Sequence, residues 1–436
     1  MNQGPPPERA FLVGVQLTQN PDHAWDVADS LAELAELART AGLTVVGTTT
    51  QRLDVPRPTF FIGRGKVQEI KARHTTAPYD VVIFDDELSP SQQRNLEREL
   101  NIKVLDRTAL ILDIFAQRAR TREGQLQVEL AQYEYRLPRL TRAWVHLSRQ
   151  AGGAGPRGGV GVGLRGPGET QLEVDRRRIQ ARIAHLKREL EEVRTHRRLH
   201  RLHRQHEGVP VVAIVGYTNA GKSTLLNALT NANVLAEDRL FATLDPTTRR
   251  VVLPGGQEVL LSDTVGFIQK LPTELVAAFR ATLEEVTEAD VILHVVDVTH
   301  PQAVAQSRTV GQVLRDLGVV NQPMITALNK IDRLADESTV LAQAPQLPHE
   351  LADLSRTTVP ISALRRWGLE RLLETIADVL LHDMVRLDVM VPFHRGDLVA
   401  LFHQRGVIDH EEHTPSGTRL LGHIPRQFAP RYRDLA

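Results

Sequence analysis

The sequence predicts an α/β multidomain chain. It comprises an N-terminal α/β domain over 1–118, a basic helical hairpin linker over 119–208, a larger α/β domain with a mostly parallel sheet over 209–381, and a small C-terminal α/β domain over 382–436. Three observations carry that prediction. At 436 residues the chain has room for several domains at roughly 100–200 residues each. In two regions, short β-branched runs bounded by Gly, Pro or Asp alternate with helical patterns, as in layered α/β sheets. Between these regions lie two helical stretches, separated by a segment (151–168) in which nine of eighteen residues are glycine.

In the N-terminal region FLVGVQL (11–17), LTVVGTT (43–49), TFFIG (59–63), YDVVIFDD (79–86) and IKVLD (102–106) read as strands. DSLAELAELARTAG (29–42) places Leu31, Leu34, Leu37 and Ala38 on one helical face and closes at Gly42, a residue suited to ending a helix. GRGK (63–66) supports two readings equally, a phosphate or RNA contact and a plain turn between strand and helix. Further on, Leu126, Leu130, Tyr133, Leu137 and Leu140 share a three-four spacing with Ile179, Ile183, Leu186, Leu190 and Val193. Each seam needs a partner, so the two stretches should pair as an antiparallel hairpin tipped by the glycine segment, with a break at Pro138. Near the C-terminus DVMVPF (388–393) and TRLLGHI (418–424) read as strands around a helical GDLVALFHQRG (396–406).

Charge is concentrated in the hairpin. Residues 136–207 hold seventeen Lys or Arg against seven Asp or Glu, a net of +10 in a chain whose overall formal charge is zero. Together with the small residues of the glycine segment this predicts contact with nucleic-acid phosphates, with Arg157 and Arg165 as candidate RNA contacts. His196, His200, His203 and His206 approach metal-ligand spacing, but Arg197, Arg198, Arg201 and Arg204 are interleaved with them, so they read as a solvated basic face. With no cysteine, thiolate metal sites, disulfides and cysteine nucleophiles are excluded. No apolar run reaches the ~20 residues of a membrane helix, and the first twenty residues lack a secretory pattern, so a cytoplasmic location without a membrane partner is expected.

The chemistry-bearing constellation opens at VPVVAIVG (209–216), a buried-strand sequence running into Gly216, Tyr217, Thr218, Asn219, Ala220, Gly221, Lys222 and Ser223, with Thr224 leading on into an apolar-periodic helix. This G-x-x-x-x-G-K-S between strand and helix lets backbone N–H groups surround phosphates at a helix N-terminus. Lys222 would reach the β- and γ-phosphates and Ser223 would ligate Mg²⁺. Downstream, QEVLLSDTVGF (257–267) ends in Asp263, Thr264, Val265 and Gly266; Asp263 can hold Mg²⁺ through water, and the Gly266 N–H can meet the γ-phosphate. PMITALNKIDR (323–333) ends in Asn329, Lys330, Ile331 and Asp332, whose carboxylate can accept the paired donors of guanine. Ser362, Ala363 and Leu364 follow, with the Ala363 N–H a candidate contact for guanine O6. LFATLDPTTRR (240–250) carries the candidate switch, whose Mg²⁺-sensing threonine is Thr243, Thr247 or Thr248 by spacing, with Thr230 further back. Phe267 stands directly after the Asp-x-x-Gly, where many regulatory GTPases place a water-orienting glutamine. Slow intrinsic hydrolysis, accelerated by a partner or a rearranged switch, is therefore expected.

In order and placement these motifs over 209–381 resemble a P-loop GTPase domain of the TRAFAC class. Together with IGRGKVQEI (62–70), DDELSPSQQRNLE (85–97), LDRTALILDIFAQRARTREGQLQVELAQYEYRLPRL (105–140), GLRGPGETQLEVDRRRI (163–179) and FATLDPT (241–247), the chain resembles the HflX family of ribosome-associated GTPases. The resemblance favours Thr243 as the switch threonine, with Phe241, Ala242, Leu244 and Asp245 around the nucleotide. It implies GTP or GDP with Mg²⁺ as cofactors, and Lys222, Thr243 and Gly266 as the residues of hydrolysis. It further implies a monomer that binds the large ribosomal subunit and the 70S ribosome, and a GTP cycle that splits or rescues stalled ribosomes under stress. A chaperone of large-subunit assembly and an RNA-binding protein with a structural G domain are the rival readings.

Overall fold

The computed structural model describes residues 7–18, 26–140, 171–207, 209–230, 240–241, 243–244, 247–270, 285–319, 322–334, 357–382, 384–425 and 428–435. The glycine segment with Arg157 and Arg165 lies outside the described residues, as do Ala242 and Asp245. The side chains of His196, His200, His203 and His206 are likewise outside them. The chain divides into two units, Met1–Arg194 with Lys270–Phe279, and Thr195–Gln269 with Arg280–Ala436.

The first unit is built on an all-parallel four-stranded sheet in the order β2-β1-β3-β4, with β1 Arg9–Leu17, β2 Thr44–Leu53, β3 Val81–Phe84 and β4 Lys103–Asp106. Parallel neighbours need crossovers, supplied by the helices α1 (Val27–Thr40), α2 (Arg64–Thr76) and α3 (Pro90–Leu100). α1 buries the predicted Leu31, Leu34, Leu37 and Ala38, and Gly42 follows it at φ +86°, a conformation glycine adopts without steric cost. The predicted strand at 59–63 is absent. Phe61 stands at φ +65° in a turn held by a single bridge to Arg57. Pro56 and Pro58 remove backbone donors there, so the apolar run buries Phe61 and Ile62 without pairing as a strand. GRGK is the start of α2: Gly63 is its N-cap, the Gly63 N–H donates to Gln51 Oε1 at 2.9 Å, and Lys66 pairs with Glu69 at 2.6 Å.

At the carboxyl end of β3, Asp85 accepts from Ser30 Oγ (2.6 Å) and Arg107 Nη1 (2.8 Å), and Arg107 also pairs with Glu33. Arg107 opens α4 (Arg107–Arg118), which is followed by α5 (Arg122–Arg136). The hairpin seam is present: Leu126 and Leu130 of α5 pack on Leu186 and Leu190 of the long α6 (Gln171–Glu207), flanked by Tyr133, Ile183 and Val193. Arg122 pairs with Glu189 and Glu129 with Arg182, so residue numbers run in opposite senses along the two helices and the pairing is antiparallel. Pro138 sits in a short 3-10 turn, Leu137–Arg139, that ends α5. The buried seam is shorter than the spacing suggests, because Leu137, Leu140 and Ile179 lie outside it. α5 stops before Pro138 and takes the last two knobs out of register.

The second unit has a six-stranded sheet in the order β10-β9-β8-β5-β7-β6. Its strands are β5 Val211–Gly216, β6 Thr247–Val252, β7 Glu258–Asp263, β8 Val291–Asp297, β9 Met324–Asn329 and β10 Thr357–Pro360. All neighbours are parallel except β6, which pairs antiparallel with β7. α7 (Lys222–Thr230), α8 (Ala303–Asp316) and α9 (Leu369–His382) accompany it. On one face Val212, Ile214, Leu293, Val295, Ile325 and Ala327 join α7 and α9 in an aliphatic core. The alternate residues of β7, β8 and β9 reach the other face, where Val296 and Leu328 pack with Ala303 and where three polar side chains are also buried, Ser262 and Thr326 at 0% exposure and His294 at 2%. Burial, reinforced by the nearby Lys222 charge, drives the His294 imidazole down to about 4.

The tail forms a three-stranded antiparallel sheet in the order β11-β13-β12, from β11 Met384–Val391, β12 Val407–Thr414 and β13 Gly417–Pro425, with α10 (Gly396–Arg405) packed on it through Leu398 and Phe402. β12 was not expected. Its sequence VIDHEEHT carries little apolar alternation, and it is held by its ladder to β13.

Three outcomes are expected. Leu186→Ala removes a fully buried seam side chain and should cost about 2–5 kcal/mol in the unfolding transition of the first unit, measured by denaturant titration. Arg182→Ala, at a half-exposed pair, should move that transition little. His294 titrates near 6.5 when unfolded and near 4 when folded, so the unfolded state binds the extra proton between those values and stability falls as pH drops from 6.5 to 4. His294→Gln should flatten that acid slope in denaturation midpoints followed from pH 7 to 4.5, and an unchanged slope would assign it to other groups.

Candidate functional site

The carboxyl ends of β5, β7, β8, β9 and β10 lie along one edge of the second unit's sheet, and the loops leaving them bring the four predicted motifs together. The loop between β5 and α7 needs its glycines where they stand. Gly216 is at φ +153°, and a Cβ on it would lie 2.3 Å from the Val295 carbonyl oxygen. Gly221 is at φ +97°, with its Cβ position 2.3 Å from Asn329 Nδ2. Asn219 also takes a positive φ of 60°, so the backbone wraps tightly before α7 begins at Lys222.

Asn329 joins three loops. Its Nδ2 donates to the Ala220 carbonyl at 2.8 Å, and its Oδ1 accepts from the Ala363 N–H at 3.0 Å. Lys330, at φ +68°, donates to the Asn219 carbonyl at 2.8 Å and pairs with Asp297 at 2.8 Å. Burial opposes ionisation of Asp297, but the hydrogen bonds from Lys330 and Thr299 outweigh it and hold its carboxyl below the usual range. Ser362 Oγ donates to Asp332 Oδ1 at 2.5 Å, fixing one oxygen of that carboxylate. Ile331 is buried beneath this loop, while Leu364 stands 73% exposed beside it. The Ala363 N–H, expected to face guanine O6, is already engaged by Asn329, so a contact with the base requires sharing it.

On the phosphate side, Lys222 is 6% exposed, and its ammonium donates to the carbonyls of Gly216 (3.1 Å) and Tyr217 (2.8 Å). Burial pulls its pKa down to about 8, with Asp263 opposing that shift. Asp263 is pushed upward by its own burial, against Lys222 and the hydroxyls of Ser223 and Thr243. Those hydroxyls converge: Ser223 Oγ lies 2.8 Å from Thr243 Oγ1 and 2.7 Å from Asp263 Oδ2, and Thr243 Oγ1 lies 3.0 Å from the same Oδ2. Adjacent ligands of an octahedral ion with bonds of about 2.0–2.1 Å sit roughly 3 Å apart, so Ser223 Oγ and Thr243 Oγ1 fit two neighbouring positions on Mg²⁺, with the Asp263 carboxylate beside them to accept from a bound water. Asp263 Oδ1 and Thr218 Oγ1, both buried, have no hydrogen-bond partner among the described residues. Of the three switch threonines Thr243 is the one at this cluster. Thr247 and Thr248 belong to β6, where Thr248 faces Ser262 at 3.3 Å, and Thr230 caps back onto Leu226 within α7.

The Asp-x-x-Gly segment lies along the β5–α7 loop. Thr264 Oγ1 donates to the Ile214 carbonyl at 2.7 Å, and a Cβ on Gly266 would lie 2.9 Å from Thr218 Cγ2 and 3.0 Å from Lys222 Nζ. Phe267 is 2% exposed, a packed side chain with no polar group to offer water. Val265, Phe241 and Leu244 are buried as well, and Thr224 continues α7 behind Ser223. Sequence reasoning missed Asp297 and the hydroxyl of Tyr217. The first had a signal, an aspartate closing a fully buried strand; the second had none, since a tyrosine beside glycine reads as packing.

Family models match the chain in consecutive pieces: "GTP-binding GTPase N-terminal" over 28–116, "GTP-binding GTPase Middle Region" over 118–204, "50S ribosome-binding GTPase" over 211–330 and "Elongation factor Tu GTP binding domain" over 279–382. A GTPase HflX of Caldanaerobacter subterraneus is 45% identical over 98% of this chain and 93% of its own length. That of Magnetococcus marinus is 50% identical over 91% and 88%, and that of Escherichia coli K12 is 42% identical over 93% and 90%. Among solved structures, a GTP-binding protein from Sulfolobus solfataricus in complex with GDP aligns with 85% of this chain and 98% of its own, at 26% identity and a TM-score of 0.42. No helix among the described residues is long and apolar enough to cross a membrane. With such identity along nearly its whole length, the chain belongs to the HflX family of GTPases, and its reaction is the Mg²⁺-dependent hydrolysis of GTP to GDP and phosphate.

Proposed function

We propose that this GTPase binds the large ribosomal subunit and uses its GTP cycle to split or rescue stalled ribosomes and then release. The observation that supports this reading most is the coincidence of a complete set of nucleotide-site residues with a match over 211–330 to the "50S ribosome-binding GTPase" family. The strongly basic 136–207 stretch fits an RNA-rich partner, with Arg157 and Arg165 as candidate contacts. In this reading the chain acts in four parts, 1–118, the hairpin 119–208, the G domain 209–381 and the tail 382–436.

In this reading each residue of the site has a role. Lys222 holds the β- and γ-phosphates, and Ser223 and Thr243 hold Mg²⁺, with Asp263 acting through water. When bound, Mg²⁺ neutralises phosphate charge. The Gly266 N–H meets the γ-phosphate, Asp332 accepts from guanine N1–H and N2–H, and Lys330 ties the base loop to the phosphate loop through the Asn219 carbonyl. Phe267 supplies nothing to orient water, so intrinsic turnover is slow and the ribosome stimulates it.

The decisive experiment measures GTP turnover alone, with large subunits, with small subunits and with 70S particles, while sedimentation follows subunit separation. Stimulation by the large subunit, with 70S splitting in a non-hydrolysable analogue, is expected. Turnover indifferent to every ribosomal particle would overturn the reading, and stimulation by immature particles alone would move it to subunit assembly. Independently, Asp332→Asn should weaken GTP binding on the order of 10²-fold and improve xanthosine triphosphate binding, because the new amide donor meets a 2-oxo group. Equal preference before and after the change, read by equilibrium titration, would place base recognition elsewhere.

A further inference from the structure

Gln269, two residues beyond Phe267, donates its backbone N–H to the hydroxyl of Tyr217 at 2.8 Å. This bond completes a short zipper. The Thr218 N–H donates to the Phe267 carbonyl at 2.8 Å, and the Phe267 N–H donates to the Gly216 carbonyl at 3.1 Å, so 216–218 and 267 pair as a parallel bridge. Two of the three bonds use backbone groups that any residue provides. The third needs a phenol at position 217, and the Tyr217 ring is 4% exposed, so its hydroxyl is aimed by packing.

What this zipper positions is Gly266, whose Cβ site lies 3.0 Å from Lys222 Nζ, the ammonium assigned to the phosphates. With Phe267 buried and unable to orient water, this segment contributes to hydrolysis through the placement of its backbone. A backbone donor works only where it is held, and small displacements of a preorganised donor are costly in rate.

We propose that the Tyr217 hydroxyl is a latch on the switch, a positioning residue that fixes the 266–269 segment against the β5–α7 loop and thereby places the Gly266 N–H for GTP hydrolysis. The hydroxyl touches no phosphate in this role. It acts through Gln269, and its effect falls on kcat while ground-state nucleotide binding is left to Lys222, Ser223 and the backbone. GDP, which lacks the γ-phosphate that Gly266 meets, should not sense the latch.

The test is Tyr217→Phe in the full chain, which keeps the ring and removes one oxygen. Three readouts are taken: kcat and KM for GTP, equilibrium GDP affinity, and hydrogen exchange of the peptide covering 266–270. The expected result is a kcat lowered about fivefold to tenfold, in line with the loss of one hydrogen bond, with KM and GDP affinity within twofold of the parent. Faster exchange confined to 266–270 should accompany it. Unchanged kcat overturns the proposal, and so does a loss of GDP affinity equal to the loss of kcat, which would mark Tyr217 as a packing residue of the loop. Unaltered exchange at 266–270 also overturns it, because the segment would then be held without the phenol.

Discussion

The side chain of Asn329 is the constraint on which the nucleotide edge of the second unit depends. A carboxamide has one donor end and one acceptor end, and here each is taken by a backbone group of a different loop, Ala220 on one side and Ala363 on the other. Asn329 is 2% exposed, so neither bond competes with water and neither loop can shift without leaving a buried polar group unpaired. Asp cannot replace it, since it would present acceptors to the Ala220 carbonyl. The same residue closes β9, so the register of the sheet sets the spacing between the phosphate loop and the base loop. Lys330 adds a second tie from the same strand end, through the Asn219 carbonyl and the ion pair with Asp297.

Much of this was legible in the sequence because the motifs are local. A strand, a glycine-bearing turn and a helix start are contiguous in 209–230, and Asp263 and Asn329 each close an apolar run, so pattern alone put them at strand ends. The hairpin seam was legible for the same reason, as a periodicity within each helix. What escaped depended on pairing across the chain. β6 and β12 are polar and gain their strand character from a neighbour, β7 or β13, that supplies the ladder. The run at 59–63 failed in the opposite sense: it is apolar enough for a strand, but Pro56 and Pro58 on its approach lack donors for a ladder, and it closes on Arg57 as a buried turn. Spacing left the choice among Thr243, Thr247 and Thr248 open, and only the fold separates a residue beside Ser223 from two committed to β6.

Both faces of the second unit's sheet bury aliphatic side chains, the main core on one and Val296, Leu328 and Ala303 on the other, and that second face also buries Ser262, His294 and Thr326, beneath the strand ends where Lys222 and Asp263 are desolvated. Burial there moves every titratable group toward its neutral form, and hydrogen bonds move some of them back. Asp297 stays ionised because Lys330 and Thr299 outweigh desolvation, whereas His294 has its imidazole kept neutral by burial and by the Lys222 charge. The site therefore confines its charges to positions where a partner is already in place.

The glycines of this edge are not equivalent, and the difference bears on how variants would be sorted by phenotype. A side chain at Gly216 meets the carbonyl of Val295, a rigid part of the ladder between β5 and β8, so the damage would spread into the sheet and appear as loss of soluble protein. A side chain at Gly266 meets the Thr218 methyl and Cα and the end of a lysine, so the damage would stay within the β5–α7 loop and the segment beside it. Such a protein would accumulate normally and fail only in its chemistry. Selection on growth alone would merge the two classes, while abundance measured beside growth would separate a scaffold glycine from a reaction glycine fifty residues apart in one site.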